Sequence, residues 1–108
     1  MILSKILVVA KTKKGVEMLE EDSMARDEEN IFFGVLDEDE WYYIWDNISI
    51  PAMVDHGIDI SDREYDEITP ELVGYFFDLI GDNRDKAPVL CEALEWCRKS
   101  GGVIQVCF

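Results

Sequence analysis

The last third of the chain has the clearest alternation of hydrophobic and polar positions. Apolar residues recur at helical spacing from Leu72 to Ile80. They are preceded by Thr69, a favoured N-cap residue, and by Pro70, which suits the first helical position. A glycine follows directly, as is common where a helix ends. The pattern therefore predicts a helix over about residues 70 to 80.

A second helix and a terminal strand are predicted after a polar turn. Asp85 is placed to cap this helix, Pro88 lies in its first turn, and Gly101-Gly102 ends it. Basic residues in the last turn suit the negative end of the helix dipole. The run Val103–Phe108 is nearly all apolar and rich in β-formers, which predicts a strand buried on both faces at the centre of a sheet.

The N-terminal part fits more than one pattern. Residues 2–10 are compatible with a strand or with the opening of a helix. Gly15 is the main objection to a helix that runs from Ile2 through Leu19, because glycine weakens helix interiors, and a helix over about residues 12–22 is favoured. The choice between strand and helix therefore stays open for residues 2–10.

Two β-prone runs, Ile31–Leu36 and Trp41–Trp45, are joined by four acidic residues. Their length and the short polar connection predict a hairpin. The alternative is a helix that starts at Asp37 with acids in its first turn. Residues 46–68, with a proline, a glycine and alternating acids, read as mostly irregular.

Helices and strands are thus mixed along a chain of 108 residues, 48% of them hydrophobic. A chain of this length buries one core, so we expect a single compact domain over residues 1–108. The predicted class is α+β, or a small α/β sandwich. Its short sheet is expected to have the C-terminal strand at its centre and to be covered by two to four helices.

The net charge of the chain and its distribution narrow the classes of molecule that the chain is expected to bind. The formal charge is −14, and residues 17–71 alone carry −17, whereas residues 1–16 carry +4 and residues 72–108 carry −1. Nucleic-acid binding draws its affinity from Lys and Arg at phosphates, so a direct DNA or RNA partner is not expected. The acidic excess is concentrated in one region and suits a basic protein partner.

Targeting and redox signals favour the cytoplasm. No apolar run reaches the roughly 18 to 20 residues of a membrane span, and the lysines near the N-terminus have the wrong order for a secretory signal. Cys91, Cys97 and Cys107 form no CxxC pair, so we expect reduced thiols and no metal.

Motifs for catalysis and cofactor binding are not found, so we expect no enzyme activity and no cofactor. His56 is the only histidine, and no nucleophile motif accompanies it. An EF-hand read from Asp37 fails, because Trp41 and Tyr42 occupy its fifth and sixth positions. Gly101-Gly102 stands after a helix, so it is no phosphate cradle.

The segment Asp37–Asp46 is the most informative one, because acidic residues lie on both sides of its aromatic run Trp41–Trp45. Trp and Tyr anchor many protein interfaces, and charged rims steer encounter, so we predict that this segment binds a partner. The alternative is that its aromatics form the core. A second acidic stretch precedes Thr69. The predicted partner-binding residues are Asp37, Glu38, Asp39, Glu40, Trp41, Tyr43, Trp45, Asp46, Asp59, Asp62, Glu64 and Asp66.

Three functions fit these features. The first is an acidic inhibitor or immunity protein that occludes the active site of a basic partner, most plausibly a nuclease toxin. The second is a phage-type DNA mimic that blocks a restriction or CRISPR effector. The third is an enzyme or substrate-binding domain whose carboxylates no motif singles out.

The closing run Pro88–Phe108 adds a resemblance to the first function. It resembles the helix-glycine-strand end of the barstar family of small acidic ribonuclease inhibitors. It is also similar to immunity proteins of bacterial contact-dependent growth-inhibition and colicin systems. The resemblance implies a toxin encoded beside this protein and a tight one-to-one complex. It carries over no inhibitory residue, because the central helix-and-loop motif of that family is not found in this chain.

Overall fold

A three-stranded antiparallel sheet and the helices beside it make up the fold. The computed structural model describes residues 5–22, 25–58 and 67–107, with only the backbone of Cys107. The elements are β1 Lys5–Ala10, α1 Lys13–Glu21, β2 Ile31–Leu36, α2 Glu38–Ile44, a π-helix Trp45–Ser49, α3 Ile50–His56, a 3-10 turn Pro70–Leu72, α4 Val73–Ile80, a 3-10 turn Arg84–Lys86, α5 Pro88–Ser100 and β3 Gln105–Cys107. This arrangement confirms the predicted α+β class.

The sheet has the order β2-β1-β3. β1 pairs along its whole length with β2, from Lys5 opposite Leu36 to Ala10 opposite Ile31. For residues 2–10 the sequence allowed a strand or a helix. The described part, residues 5–10, is a strand. The prediction of a central C-terminal strand is wrong, because β3 is an edge strand of the sheet within the described ranges and pairs there with β1, while Ile104 just before it forms a single bridge with Ile68. The longer apolar β1 occupies the centre instead.

The core lies between the sheet and the helices, with α5 packed on the sheet and buried residues of α2, α3 and α4 completing the cluster. Helix α5 buries Leu90, Leu94 and Cys97 among core residues that include Val9 of β1. The Cys97 thiol donates to the Gly102 carbonyl at 3.0 Å, and burial raises its pKa to about 11. Cys97 is thus a neutral core residue at ordinary pH. Cys91 and Cys97 are both free thiols.

Both C-terminal helices form as predicted, but their predicted side-chain caps do not. Thr69 makes no side-chain cap, and the helix that it precedes begins as a 3-10 turn before α4. Ala87, which has no polar side chain, stands at the N-cap of α5 where Asp85 was expected to act. Gly101 ends α5 with φ of 76°, a left-handed conformation that glycine adopts without steric cost.

The predicted hairpin is wrong, and the helical alternative is correct. Asp37 is the N-cap of α2, and its carboxylate accepts the Glu40 amide at 2.7 Å. Acids in the first turn stabilise a helix N-terminus, which outweighs the β propensity of the aromatics that follow. The helix runs on through residue 56, so the prediction of irregular structure fails for residues 46–56. Residues 59–66 lie outside the described part of the chain.

A π-helical turn joins α2 to α3 in one continuous helix. Its position follows from Pro51, which has no amide hydrogen and whose ring clashes with the carbonyl four residues earlier in an α-helix. The wider turn Trp45–Ser49 accommodates that ring. Gly57, with φ of 68°, ends the helix. This continuous helix, residues 38–56, is called the long helix below.

We expect Ser49→Ala to raise the free energy of unfolding by about 1 kcal/mol. Ser49 is 4% exposed, and its hydroxyl makes no hydrogen bond within the described structure. The alanine variant removes a buried polar group without a partner. Thermal and urea unfolding would measure the change.

Ser100→Ala is the matched control, because the Ser100 hydroxyl accepts the Gly102 amide at 3.1 Å. It should lower the free energy of unfolding by about 1 kcal/mol. Equal losses in the two variants would contradict the assignment of Ser49 as an unsatisfied group.

Candidate protein-interaction surface

Exposed hydrophobic side chains are concentrated on the long helix. Among the described residues, five of the seven large hydrophobic side chains that are exposed belong to it, and the other two belong to β2. The five are between 41% and 78% exposed. We call them the exposed helix stripe: Tyr42, Trp45, Ile50, Met53 and Val54. A concentration of large exposed hydrophobic side chains on one element is typical of a binding surface.

The π-helical turn brings the two halves of the stripe closer to one side. Trp45 and Ile50 are five residues apart, a spacing that would separate them by about 140° around a regular α-helix. The wider π turn, with hydrogen bonds over five residues, reduces that separation. The opposite side of the long helix is buried through Ile44, Ile48 and Ala52. The long helix therefore has two apolar sides. One is buried in the core, and the other, the exposed helix stripe, faces solvent.

Acidic side chains flank the stripe along the whole helix. Glu38 and Asp39 lie exposed in its first turn, Asp46 in the π turn and Asp55 near its end. No basic residue lies between positions 27 and 55 of the chain. An apolar strip with an acidic rim is complementary to an apolar surface with Lys or Arg around it.

Glu40 holds the N-terminal end of the long helix in place. It is 3% exposed, and its carboxylate accepts the Leu90 amide at 2.9 Å. It thereby supplies, from another element, the cap that α5 lacks in its own sequence. Burial raises the pKa of this carboxyl group, while its hydrogen bonds to the Val89 and Leu90 amides act in the opposite direction.

Tyr75 of α4 holds the other end. Its hydroxyl donates to Asp55 at 2.7 Å, and its ring meets His56 edge to face at 4.4 Å between centroids. Burial, together with the hydrogen bond to this carboxylate, raises the pKa of Tyr75 to about 12. Tyr75 therefore stays a neutral donor across the physiological range.

The three aromatic residues among the predicted partner-binding residues are divided between core and surface. Trp41 and Tyr43 are half-buried against the core, and only Trp45 is exposed. Trp41 lies 6.1 Å from Trp45 between ring centroids, and the Lys5 ammonium lies 5.1 Å from the Trp41 ring. Trp41 thus supports Trp45 from within the fold.

The other predicted site residues have distinct places. Glu38, Asp39 and Asp46 lie exposed beside the stripe, whereas Glu40 is buried and positions the helix. The predicted residues at 59, 62, 64 and 66 lie outside the described ranges. Five exposed residues of this surface were not predicted as partner-binding residues from the sequence: Tyr42, Ile50, Met53, Val54 and Asp55. Extending the helical pattern from Asp37 across Pro51 would have found them.

An open cleft of about 390 Å³ lies at the start of the long helix, and its lining includes Asp37, Asp39 and Asp85 together with Lys86. Its charge continues the acidic rim of the stripe. Within residues 5–22, 25–58 and 67–107, no three His, Cys, Asp or Glu side chains converge as metal ligands. No helix in these ranges combines the length and apolar character needed to cross a bilayer.

Lysines gather at the opposite end of α5. The ammonium groups of Lys11 and Lys99 lie 5.4 and 5.1 Å from the Trp96 ring. Glu40, in contrast, contacts the first turn of α5. The end of α5 is therefore basic, whereas both charge signs meet at its start, where Arg84 and Lys86 of the preceding turn lie near Asp85 and Glu40. Comparison with known proteins found no match to the chain among family models, curated proteins or solved structures.

Proposed function

We propose that the chain is an inhibitor or immunity protein that binds a basic protein partner, a nuclease toxin, and occludes its active site in a one-to-one complex. The observation that carries the proposal is the exposed helix stripe with acids on its rim. The free thiols of Cys91 and Cys97 favour the cytoplasm as the place of action.

Two physical arguments support this kind of partner. Nucleases present cationic grooves to phosphates, and a strongly acidic surface competes for the same groove. Trp45 and Tyr42 are large, half-exposed aromatics of the type that dominates binding energy when a partner buries them. The acids would steer encounter, and the stripe would hold the complex together.

The first test uses the product of the adjacent open reading frame as the probe. We expect it to be basic, to form a one-to-one complex and to lose nuclease activity when bound. Its association rate should fall by about ten-fold or more between low and high salt, because surface charges are screened. Failure to bind, or an association rate that does not depend on salt, would contradict the proposal.

We expect Trp45→Ala and Tyr42→Ala each to raise the dissociation rate of this complex by about ten-fold or more, with little effect on association. Trp96→Ala is the matched aromatic control, because Trp96 lies on α5 rather than on the long helix and its half-buried ring is close to Lys11 and Lys99. Stopped-flow and surface-binding kinetics would separate the two rates. Equal effects of Trp45→Ala and Trp96→Ala would argue against the stripe as the interface.

A further inference from the structure

The remaining exposed hydrophobics lie on β2, an edge strand. Phe33 is 37% and Val35 is 56% exposed. Within the described part of the chain, no strand pairs with the outer side of β2. The strand Ile31–Leu36 contains no charged residue and no proline. It lacks the side chains with which soluble proteins usually prevent pairing at a sheet edge.

Both faces of the sheet are apolar at this edge. Phe33 and Val35 project from the face away from α5. On the other face, a Cβ placed on Gly34 would come within 2.4 Å of the Val89 side chain, and Phe32 packs half-buried against the core. A strand added beside β2 would find apolar contacts on both faces, so its own centre must be a continuous apolar run.

The charges at the ends of β2 limit what can occupy the edge. Asp37 and the exposed Glu38 and Asp39 follow the strand directly. At its other end a turn carries Asp27, Glu28 and Glu29, where the Lys11 ammonium donates to the Glu28 carbonyl at 2.9 Å. Both ends have basic residues nearby: Lys11 and Arg26 at the turn before β2, and Lys5 and Lys86 at the end after it. The two ends differ in exposed acids, because Asp37, Glu38 and Asp39 are all exposed after the strand, whereas the turn before it exposes two acids beside the exposed Arg26.

A second copy of the chain fits this edge poorly. Antiparallel pairing of two β2 strands would bring the acids after one strand against the turn before the other, where Lys11 and Arg26 offset only part of the charge of Asp27, Glu28 and Glu29. Parallel pairing would bring the acids that follow β2 in both copies together. Each copy also carries −14, so like charges oppose either arrangement.

We infer that β2 accepts an extended segment of a protein partner by strand addition. The segment has an apolar centre and Lys or Arg at the end that reaches Asp37, Glu38 and Asp39. Main-chain hydrogen bonds to the outer side of β2 supply affinity, and the charged end sets the direction. The inference rests on the proposed function in assigning this segment to the same basic partner.

The test uses the full chain and two synthetic peptides of about ten residues, long enough to span β2. Both have the same Val- and Ile-rich centre; one ends in lysines and the other in glutamates. We expect the lysine peptide to bind about ten-fold or more tightly than the glutamate peptide, and to protect β2 amides from exchange. Equal binding, no binding of the lysine peptide, or protection elsewhere would overturn the inference.

Variants separate this site from the exposed helix stripe. Val35→Lys, at an exposed position, should weaken the lysine peptide by about ten-fold, whereas Val35→Thr should leave it nearly unchanged. Trp45→Ala should not alter peptide binding. If the adjacent gene product binds in a Trp45-dependent way while the peptide does not bind, only the strand-addition inference fails. If the peptide binds and that product does not, the proposed function fails by itself.

Discussion

Glu40→Ala is expected to lower the free energy of unfolding by about 2 kcal/mol. The carboxylate is buried and accepts the Leu90 amide at the start of α5, a helix without a cap of its own. Alanine leaves that buried amide without an acceptor and also removes the contact between the long helix and α5. Urea unfolding followed by circular dichroism would measure the loss.

Glu40→Gln separates the hydrogen bond from the charge. Glutamine keeps an acceptor oxygen for the Leu90 amide, so we expect it to cost about 1 kcal/mol or less near neutral pH. Asp39→Ala is the control for an acid on the same helix, because Asp39 is exposed and should change stability little. Equal losses for Glu40→Ala and Asp39→Ala would show that Glu40 does not link the two helices.

The raised pKa of Glu40 gives these variants a pH dependence. A carboxyl group whose folded pKa exceeds its unfolded value contributes stability that is complete below the unfolded pKa and is lost as pH rises through the folded pKa. Glu40→Gln lacks this contribution. Its stability relative to the native protein should therefore improve as pH rises from about 4 to 7. A difference independent of pH would contradict the burial of a titrating Glu40.

The elements that sequence predicts well are those whose local signals agree. The helices at 73–80 and 88–100 combine periodic apolar residues with prolines at their starts and glycines at their ends. β2 is apolar, β-prone and bounded by polar residues. In each case the local pattern and the tertiary packing favour the same structure.

The long helix was predicted incorrectly because its signals conflict. Its aromatic residues favour a strand, whereas the Asp37 cap and the buried positions Ile44, Ile48 and Ala52, each four residues apart, favour a helix. Pro51 suggests a helix boundary, yet the π turn accommodates it. The buried role of Glu40 is a contact with a residue 50 positions away, which no local pattern encodes.

Gly15→Ala should lower the free energy of unfolding by about 3 kcal/mol, although alanine is the better helix former. Gly15 lies buried in α1, and a Cβ there would come within 2.0 Å of the Asn30 carbonyl oxygen. That oxygen also accepts the Lys11 amide at 2.7 Å, so it cannot move away without losing a hydrogen bond. Calorimetry and urea unfolding of the full chain would measure the change.

Gly74→Ala is the matched control, a glycine in α4 that is exposed and has no neighbour within 4 Å of a Cβ. Here alanine should raise the free energy of unfolding by about 0.5 to 1 kcal/mol, because it restricts the unfolded chain and meets no steric clash. Both glycines weaken a helix in isolation, and only Gly15 allows α1 to approach the turn before β2. Equal stabilisation by the two alanines would mean that α1 does not pack closely against the Asn30 carbonyl.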